Sequence, residues 1–295
     1  VYALRESMAG DRVTSVLGIV NGTTNYILDE MSTKGLSFEE ALATAQALGY
    51  AEADPTADVD GLDAAAKAAI LASLSFHTRV GLSDVQVEGI RSVTADDIRE
   101  AHASGCELKL LAIAQLREDE HARGVSVRVH PALVPADHPL ASVHGAYNAV
   151  LVEAESAGRL MFYGQGAGGA PTASAVLSDV VAAAAHRVYG GRAPRESSYA
   201  RLSVLGPEAA VTRYQIQLRV EDAAGSLAAM AGVFADNEVS INSVRQSAYV
   251  TRDGAAVVTF VTHPAPVFHL DAAVEGLRHS ERVLEVVSVW RVEGQ

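Results

Sequence analysis

Between Glu52 and Lys67 the chain reads EADPTADVDGLDAAAK, which crowds four Asp, one Glu and one Lys around one loop and the start of one helix. The run lies between two apolar helical patterns, so its polar groups should meet where a loop joins a helix and a ligand can approach the backbone. Loops held by a rigid scaffold are where chemistry concentrates. Asp60 or Gly61 can start the helix, and the apolar pattern then continues through Ala64, Ala65, Ala68, Ile70, Leu71 and Leu74. Asp63 and Lys67 are therefore one turn apart on one face. Taken alone, such a pair is a surface ion pair worth a few tenths of a kcal/mol. Lys67, however, is embedded in AAAKAAIL, where a packed helix leaves few positions facing water. Partial desolvation would lower its pKa and make it a usable proton donor or acceptor near neutrality.

Around this run the pattern predicts an α+β architecture. RVTSVLGIV (12–20) reads as a buried strand leading through Asn-Gly-Thr-Thr-Asn into a helix, which puts Gly22 and Thr23 at a strand-to-helix turn. Backbone and hydroxyl donors there suit a small carboxylate, and Thr23 or Thr24 can equally cap the helix. Ser37 and Glu40 spell a capping box for a helix through Leu48, with Phe38, Ala41, Leu42, Ala45 and Leu48 as its core face. Thr94 and Asp97 begin another helix, closed by Gly105. Strand patterns occupy 84–90, 107–116, 124–134, 148–155 and 159–163. The expectation is a mixed open sheet with helices on one face. Asp54 before Pro55 reads as a turn initiator and Asp60 as a helix cap.

Gly164, Gly166 and Gly169 form G-x-G-x-x-G before a helix starting near Pro171 or Thr172. A lone match of this kind is weak. A dinucleotide fold needs a following strand that ends in an acidic residue, and Gly190-Gly191-Arg-Ala-Pro follows instead. The glycines still allow close approach of a ligand to the backbone at a helix N-terminus.

Three segments carry a family resemblance: GIVNGTTNYIL (18–28), ALGYAEADPTADVDGLDAAAKAAILA (47–72) and GQGAGGAPTASAVLSDVV (164–181). They closely resemble the substrate domain of homoserine dehydrogenases, in order and over a long span. The resemblance implies hydride transfer between L-homoserine and NAD or NADP, giving L-aspartate 4-semialdehyde, within threonine, methionine and isoleucine biosynthesis. It implies that Lys67 exchanges the proton of the substrate hydroxyl and that Asp63 orients it. Glu52 and Asp58 match the acids that hold the ammonium group, Tyr50, Thr23 and Gly22 match supporting substrate contacts, and Gly166 matches a cofactor contact. Members begin with a dinucleotide-binding domain, whereas Val1 opens in an apparent helix; the expectation is a fragment lacking on the order of 130 residues, about one domain, and inactive alone. A monovalent cation (Na or K) is implied mainly on that preceding part.

The last third reads strand, helix, strand, strand, helix, strand, the βαββαβ order of a ferredoxin-like unit. It resembles an ACT regulatory domain, with Asp222, Gly225 and Leu227 in a D-x-x-G-x-L turn and Asn242 where such units contact an effector. The turn lacks the usual proline before Gly225. Threonine is the effector that the family implies. The expected organisation is a substrate domain over 1–190, a linker over 191–211 and an ACT domain over 212–295, self-associating as a homodimer or homotetramer.

Composition narrows the remaining classes. A formal charge of -13 repels phosphate backbones and argues against nucleic acid. A single cysteine, Cys106, excludes a disulfide framework and points to a reducing, cytoplasmic compartment. Lys67, Asp179 and His186 interrupt the longest apolar runs, so no membrane span is expected. The ten histidines are scattered without zinc-ligand spacing, so no metal site is expected in the chain itself, and no G-x-S-x-G elbow suggests a hydrolase. His130, His138 and His144 receive no role. A non-catalytic amino-acid-sensing and dimerisation module is the competing reading, and an N-terminal aspartate kinase would make a third.

Overall fold

In the computed structural model, residues 1–118, 123–191, 198–250 and 255–294 are described. Their strands join in one 11-stranded mixed sheet. The first part builds strands β1 (Val13–Ile19), β2 (Gln86–Val87), β3 (Cys106–Glu118), β4 (Arg123–Pro135), β5 (Tyr147–Ala154) and β6 (Gly158–Gln165). Helices α1 (Gly22–Lys34), α2 (Phe38–Ala47), α3 (Thr56–Val59), α4 (Leu62–Phe76), α5 (Ala95–Ala103) and α6 (Gly169–Tyr189) belong with them. The second part adds β7 (Val211–Glu221), α7 (Ser226–Asp236), β8 (Ile241–Val250), β9 (Ala255–Thr262), β10 (Ala265–Pro266), α8 (Val267–Arg278) and β11 (Val283–Val292).

The order along the main path is β6-β5-β1-β3-β4-β11-β7-β9-β8, so two units share a continuous sheet. Alternation sorts the side chains of the first unit. Val16 of β1 and Leu108, Leu110, Ala112 and Ala114 of β3 face the helices, in one core with Ile27, Ala65, Ala68 and Ala72. Leu17, Ile19, Leu111 and Ile113 face the other way, under Leu140, Ala141 and Val143. That second face is closed by the segment after β4 and not by helices. Lys109 ties the segment down: it is 2% exposed, its ammonium donates to the Val143 carbonyl at 2.7 Å, and burial pushes its pKa down.

Local chemistry set several ends as expected. Ser37 with Glu40 and Thr94 with Asp97 form complete capping boxes; Gly35, not singled out in the sequence, closes α1 in the left-handed conformation at φ 69°. Other expectations needed correction. Leu48 (59% exposed) and Ile70 (52%) point away from the core, which α2 and α4 reach through alanines instead. The strand pattern over 84–90 yields only Gln86–Val87, paired parallel with β4, because Leu82–Asp84 form a 3-10 turn and Glu88–Arg91 leave the sheet. Asp60 does not cap α4; Gly61 at φ 80° precedes that helix, and Asp60 pairs with Arg91. Helix α6 starts at Gly169, slightly earlier than expected. Asp54 does initiate a turn, accepting from the Thr56 amide at 3.1 Å.

The glycine-rich run after β6 is not a dinucleotide turn, because β6 is a sheet edge antiparallel to β5 and, among the described residues, no strand after α6 pairs with β6. Of the expected linker, 192–197 lie outside the described residues; Ser203–Leu205 run along Val125, which donates to the Ser203 carbonyl at 2.8 Å and accepts from the Leu205 amide at 2.9 Å. The second unit has the ferredoxin-like order β11-β7-β9-β8, with Phe234, Phe260, Leu270 and Leu277 in its core.

The two units meet through β11. Its Val292 pairs parallel with Leu133 of β4, and Trp290 packs against the core of the first unit. Beside them Arg128 and Glu293, with side chains 3% and 6% exposed, form an ion pair at 2.9 Å. Thr212 donates to the same carboxylate at 2.9 Å, and His130 stands 3.5 Å from it. Burial disfavours the ionised carboxylate, but Arg128 and His130 outweigh it and hold the pKa of Glu293 down at about 2. Burial also lowers that of His130. Both depressed values have the same sign: the native state binds fewer protons than the unfolded chain. The contribution of Glu293 is complete above its ordinary value of 4.5 and disappears as pH falls toward 2. Denaturant titrations followed through the single tryptophan, Trp290, at pH 7, 5 and 3 should show stability falling steadily with acid; equal stability at pH 5 and 3 would contradict this.

Candidate active site

The strand-to-helix turn after β1 carries the densest polar network near the Glu52–Lys67 run. Asn21 caps α1: its side-chain oxygen accepts from the Thr24 amide at 2.9 Å. Its amide nitrogen is thereby aimed outward and donates to Asp58 Oδ1 at 2.7 Å and Asp63 Oδ2 at 2.9 Å. Lys67 completes the cluster, donating to Asp63 Oδ2 at 2.7 Å and to the Val20 carbonyl at 2.9 Å. One asparagine thus joins two carboxylates from separate helices, and one of these orients the lysine.

The side chains of Lys67 and Asp63 remain 44% and 34% exposed. The helix does not enclose Lys67 as the run of small residues suggested, since alanines leave space beside it. The ammonium is fixed by two oxygen acceptors and keeps a third N–H for a ligand.

Thr23 and Tyr50 are brought together: the Thr23 hydroxyl donates to the Tyr50 carbonyl at 2.7 Å, and the Tyr50 ring lies 4.9 Å from that of Tyr26. Gly22 opens α1, where a Cβ would come within 2.6 Å of the Ala146 carbonyl oxygen. As first-turn amides, Gly22 and Thr23 have no partner within the helix and face whatever lies at its N-terminus. The Glu52 carboxylate is exposed on the loop before α3 and makes no side-chain bond among the described residues. Asp222, Gly225 (φ 90°) and exposed Leu227 lie at the β7–α7 turn, and exposed Asn242 lies on β8, so all four belong to the second unit and not to this cluster.

Gly166 lies beside a residue that the sequence did not single out. A Cβ on it would overlap the Asn148 side-chain amide, and that amide donates to the Val20 carbonyl at 3.3 Å, the same oxygen Lys67 uses. Asn148 Oδ1 is buried and unpartnered. Asn21 was also missed as a site residue, although an Asn before Gly-Thr-Thr is a cap signal that could have located it. Elsewhere, His144 binds Asp29 at 2.7 Å, away from the cluster.

Among the described residues, no group of three or more His, Cys, Asp or Glu is placed to hold a metal ion, and no helix is long and apolar enough to cross a membrane.

Comparison with known proteins identifies the family. The homoserine dehydrogenase family profile matches residues 1–181. The homoserine dehydrogenase of Mycobacterium tuberculosis (strain ATCC 25618 / H37Rv) is 57% identical over all of this chain, which spans 68% of that protein. That of Corynebacterium glutamicum is 53% identical over 99% of the chain and 65% of its own length. A crystal structure of a homoserine dehydrogenase from Thiobacillus denitrificans superposes with a TM-score of 0.87 at 36% identity, over 99% of this chain and 67% of that one. A hyperthermophilic archaeal homoserine dehydrogenase mutant in complex with NADPH matches 62% of this chain and 51% of its own at a TM-score of 0.52 and 31% identity. The chain spans about two thirds of the length of such relatives. It belongs to the homoserine dehydrogenase family of oxidoreductases.

Proposed function

We propose that this chain supplies the substrate-holding and proton-transfer part of an NAD(P)-dependent homoserine dehydrogenase, which interconverts L-homoserine and L-aspartate 4-semialdehyde. The observation that carries this reading is the Asn21 bridge, which gathers Asp58, Asp63 and Lys67 at the N-terminus of α1. The substrate has an ammonium, a carboxylate and a hydroxyl, and the cluster offers a group for each. Asp58, with Glu52 on the neighbouring loop, attracts the ammonium. The Gly22 and Thr23 amides receive the carboxylate, while Tyr50 braces the turn through Thr23. Lys67 holds the hydroxyl oxygen and moves its proton, and Asp63 keeps the lysine aimed.

The cofactor's nicotinamide, when bound, accepts hydride from the substrate carbon or returns it. The residues near Gly166 fit such a group: the bare backbone between Asn148 and α6, together with the unpartnered Asn148 Oδ1, forms a polar edge that a side chain would block. The remaining part of an enzyme of this kind would hold most of the dinucleotide, choose NAD or NADP and carry any monovalent cation, so we assign turnover to the chain joined to such a part. The second unit is read as a regulatory ACT-type domain, after a linker over 191–211, with Asp222, Gly225, Leu227 and Asn242 toward a threonine-like effector. We also read the assembled protein as a cytoplasmic homodimer or homotetramer.

Replacing Asp58 by Asn tests the ammonium assignment. In the intact enzyme it should raise KM for homoserine about tenfold, as expected when a hydrogen bond to a charged group is weakened. An unchanged KM would move the ammonium site elsewhere.

A further inference from the structure

Residues Glu88–Arg91 continue past β2 and lie across the short helix α3 that carries Asp58. The contact is backbone on backbone: the Ile90 amide donates to the Val59 carbonyl at 2.8 Å, while the Glu88 amide stays on β4 through the Val129 carbonyl at 2.8 Å. Gly89 lies between them. A Cβ there would overlap the Val59 carbonyl oxygen and stand 2.5 Å from Asp60 Cα, so only glycine permits this approach. Its φ is not in the left-handed region, so closeness alone and no unusual backbone conformation demands the glycine. From the other side Gly61 packs on the Val87 side chain, where a Cβ would meet Cγ1 at 3.1 Å. Arg91 then pairs with Asp60 and donates to the Thr56 hydroxyl at 3.2 Å, gripping both ends of α3. Val59 and Ile90 are each fully buried, so the two segments move together.

The far end of this strap is held by the second unit. Arg291 of β11 donates to Glu88 Oε2 at 2.7 Å, with the two side chains 24% and 48% exposed. Ser288 of the same strand lies 3.2 Å from Glu100 on α5, and Arg245 of β8 bonds to the Ala103 carbonyl at the end of that helix. The C-terminal unit therefore touches the segment 88–104 at both of its ends.

We propose that Glu88–Arg91 is a positioning strap through which the C-terminal unit sets the placement of Asp58 and hence the affinity for substrate. Gly89 is its fulcrum, and the Glu88–Arg291 ion pair is the link that a change in the second unit would tighten or release. The proposal rests on the reading of Asp58 as an ammonium ligand.

The test uses Gly89→Ala, Glu88→Gln, Arg291→Gln and Asp58→Asn, made both in the intact enzyme and in this chain. Gly89→Ala should raise KM for homoserine at least as much as Asp58→Asn does. Each single ion-pair variant should raise KM about two- to fivefold, the range of a part-exposed pair, with a smaller change in kcat. The Glu88→Gln/Arg291→Gln double variant should be no worse than either single one, as for two ends of one link. In this chain alone, Arg291→Gln should speed hydrogen exchange at the Ile90 amide and at the amides of Asp58–Gly61. Unchanged KM in the strap variants alongside a raised KM in Asp58→Asn would overturn the strap and leave the ammonium site standing. If Asp58→Asn itself leaves KM unchanged, the substrate reading fails and exchange decides the strap: faster exchange upholds it, unchanged exchange overturns it.

Discussion

Lys67→Ala in the intact enzyme should lower kcat by two to four orders of magnitude, roughly the contribution of a positioned general acid or base, while the fold survives. The survival is as informative as the loss. Lys67 is 44% exposed and spans no core, so its removal opens no cavity and costs one part-exposed ion pair, about 1 kcal/mol or less. What is lost is the group that holds and moves the hydroxyl proton. Asp63→Asn should fall less far, because Lys67 keeps its bond to the Val20 carbonyl while losing a charged partner. Asn21→Ala should damage both functions, since it frees Asp58 and Asp63 together and removes the cap of α1, costing about 1 kcal/mol of stability as well. A Lys67→Ala enzyme with near-normal kcat would remove the lysine from the mechanism.

The second large effect is on stability, at the β4–β11 joint between the two units. Glu293→Gln should destabilise the native state by about 3 to 5 kcal/mol, because it strands Arg128 as an uncompensated charge in a buried joint. The other acceptors of the Arg128 guanidinium, Gln115, Ser126 and the Val211 carbonyl, are neutral and do not compensate that charge. Removing both charges, as Arg128→Met/Glu293→Leu, should recover most of the loss, since well-packed apolar groups can replace a buried pair. Trp290 fluorescence in a denaturant titration reports the joint directly. A Glu293→Gln midpoint equal to that of the unsubstituted chain would mean that the buried pair contributes nothing. Breaking the exposed Arg12–Glu155 pair, with side chains near half exposed, should by contrast change stability by 1 kcal/mol at most.

Legibility followed the range of the interactions. Capping boxes at Ser37 and Thr94 are chemistry within a few residues, and the helices they begin lie where the sequence places them. The charged run lies where the fold gathers Asp58, Asp63 and Lys67 around Asn21, and the (i, i+4) spacing told that Asp63 and Lys67 would meet. Asn21 escaped notice because the cap of α1 was expected from Thr23 or Thr24, whereas Asn21 supplies it; its second bonds reach 37 and 42 positions along the chain. Asn148 gives no local signal at all, being one polar residue in a strand. The parallel pairings of β2 and β11 with β4 are tertiary, and neither has a turn to announce it. Leu48 and Ile70 satisfy the helical period yet face outward, because the core beneath α2 and α4 is filled by alanines at close approach.

The most direct measurement is homoserine-dependent reduction of NADP and NAD by this chain joined to a dinucleotide-binding part of a close relative, run beside its Lys67→Ala variant. Turnover is expected in the first and loss of kcat by about two or more orders of magnitude in the second, with equal denaturation midpoints. No reduction of either cofactor by the folded, joined enzyme, or equal turnover in both proteins, would contradict it.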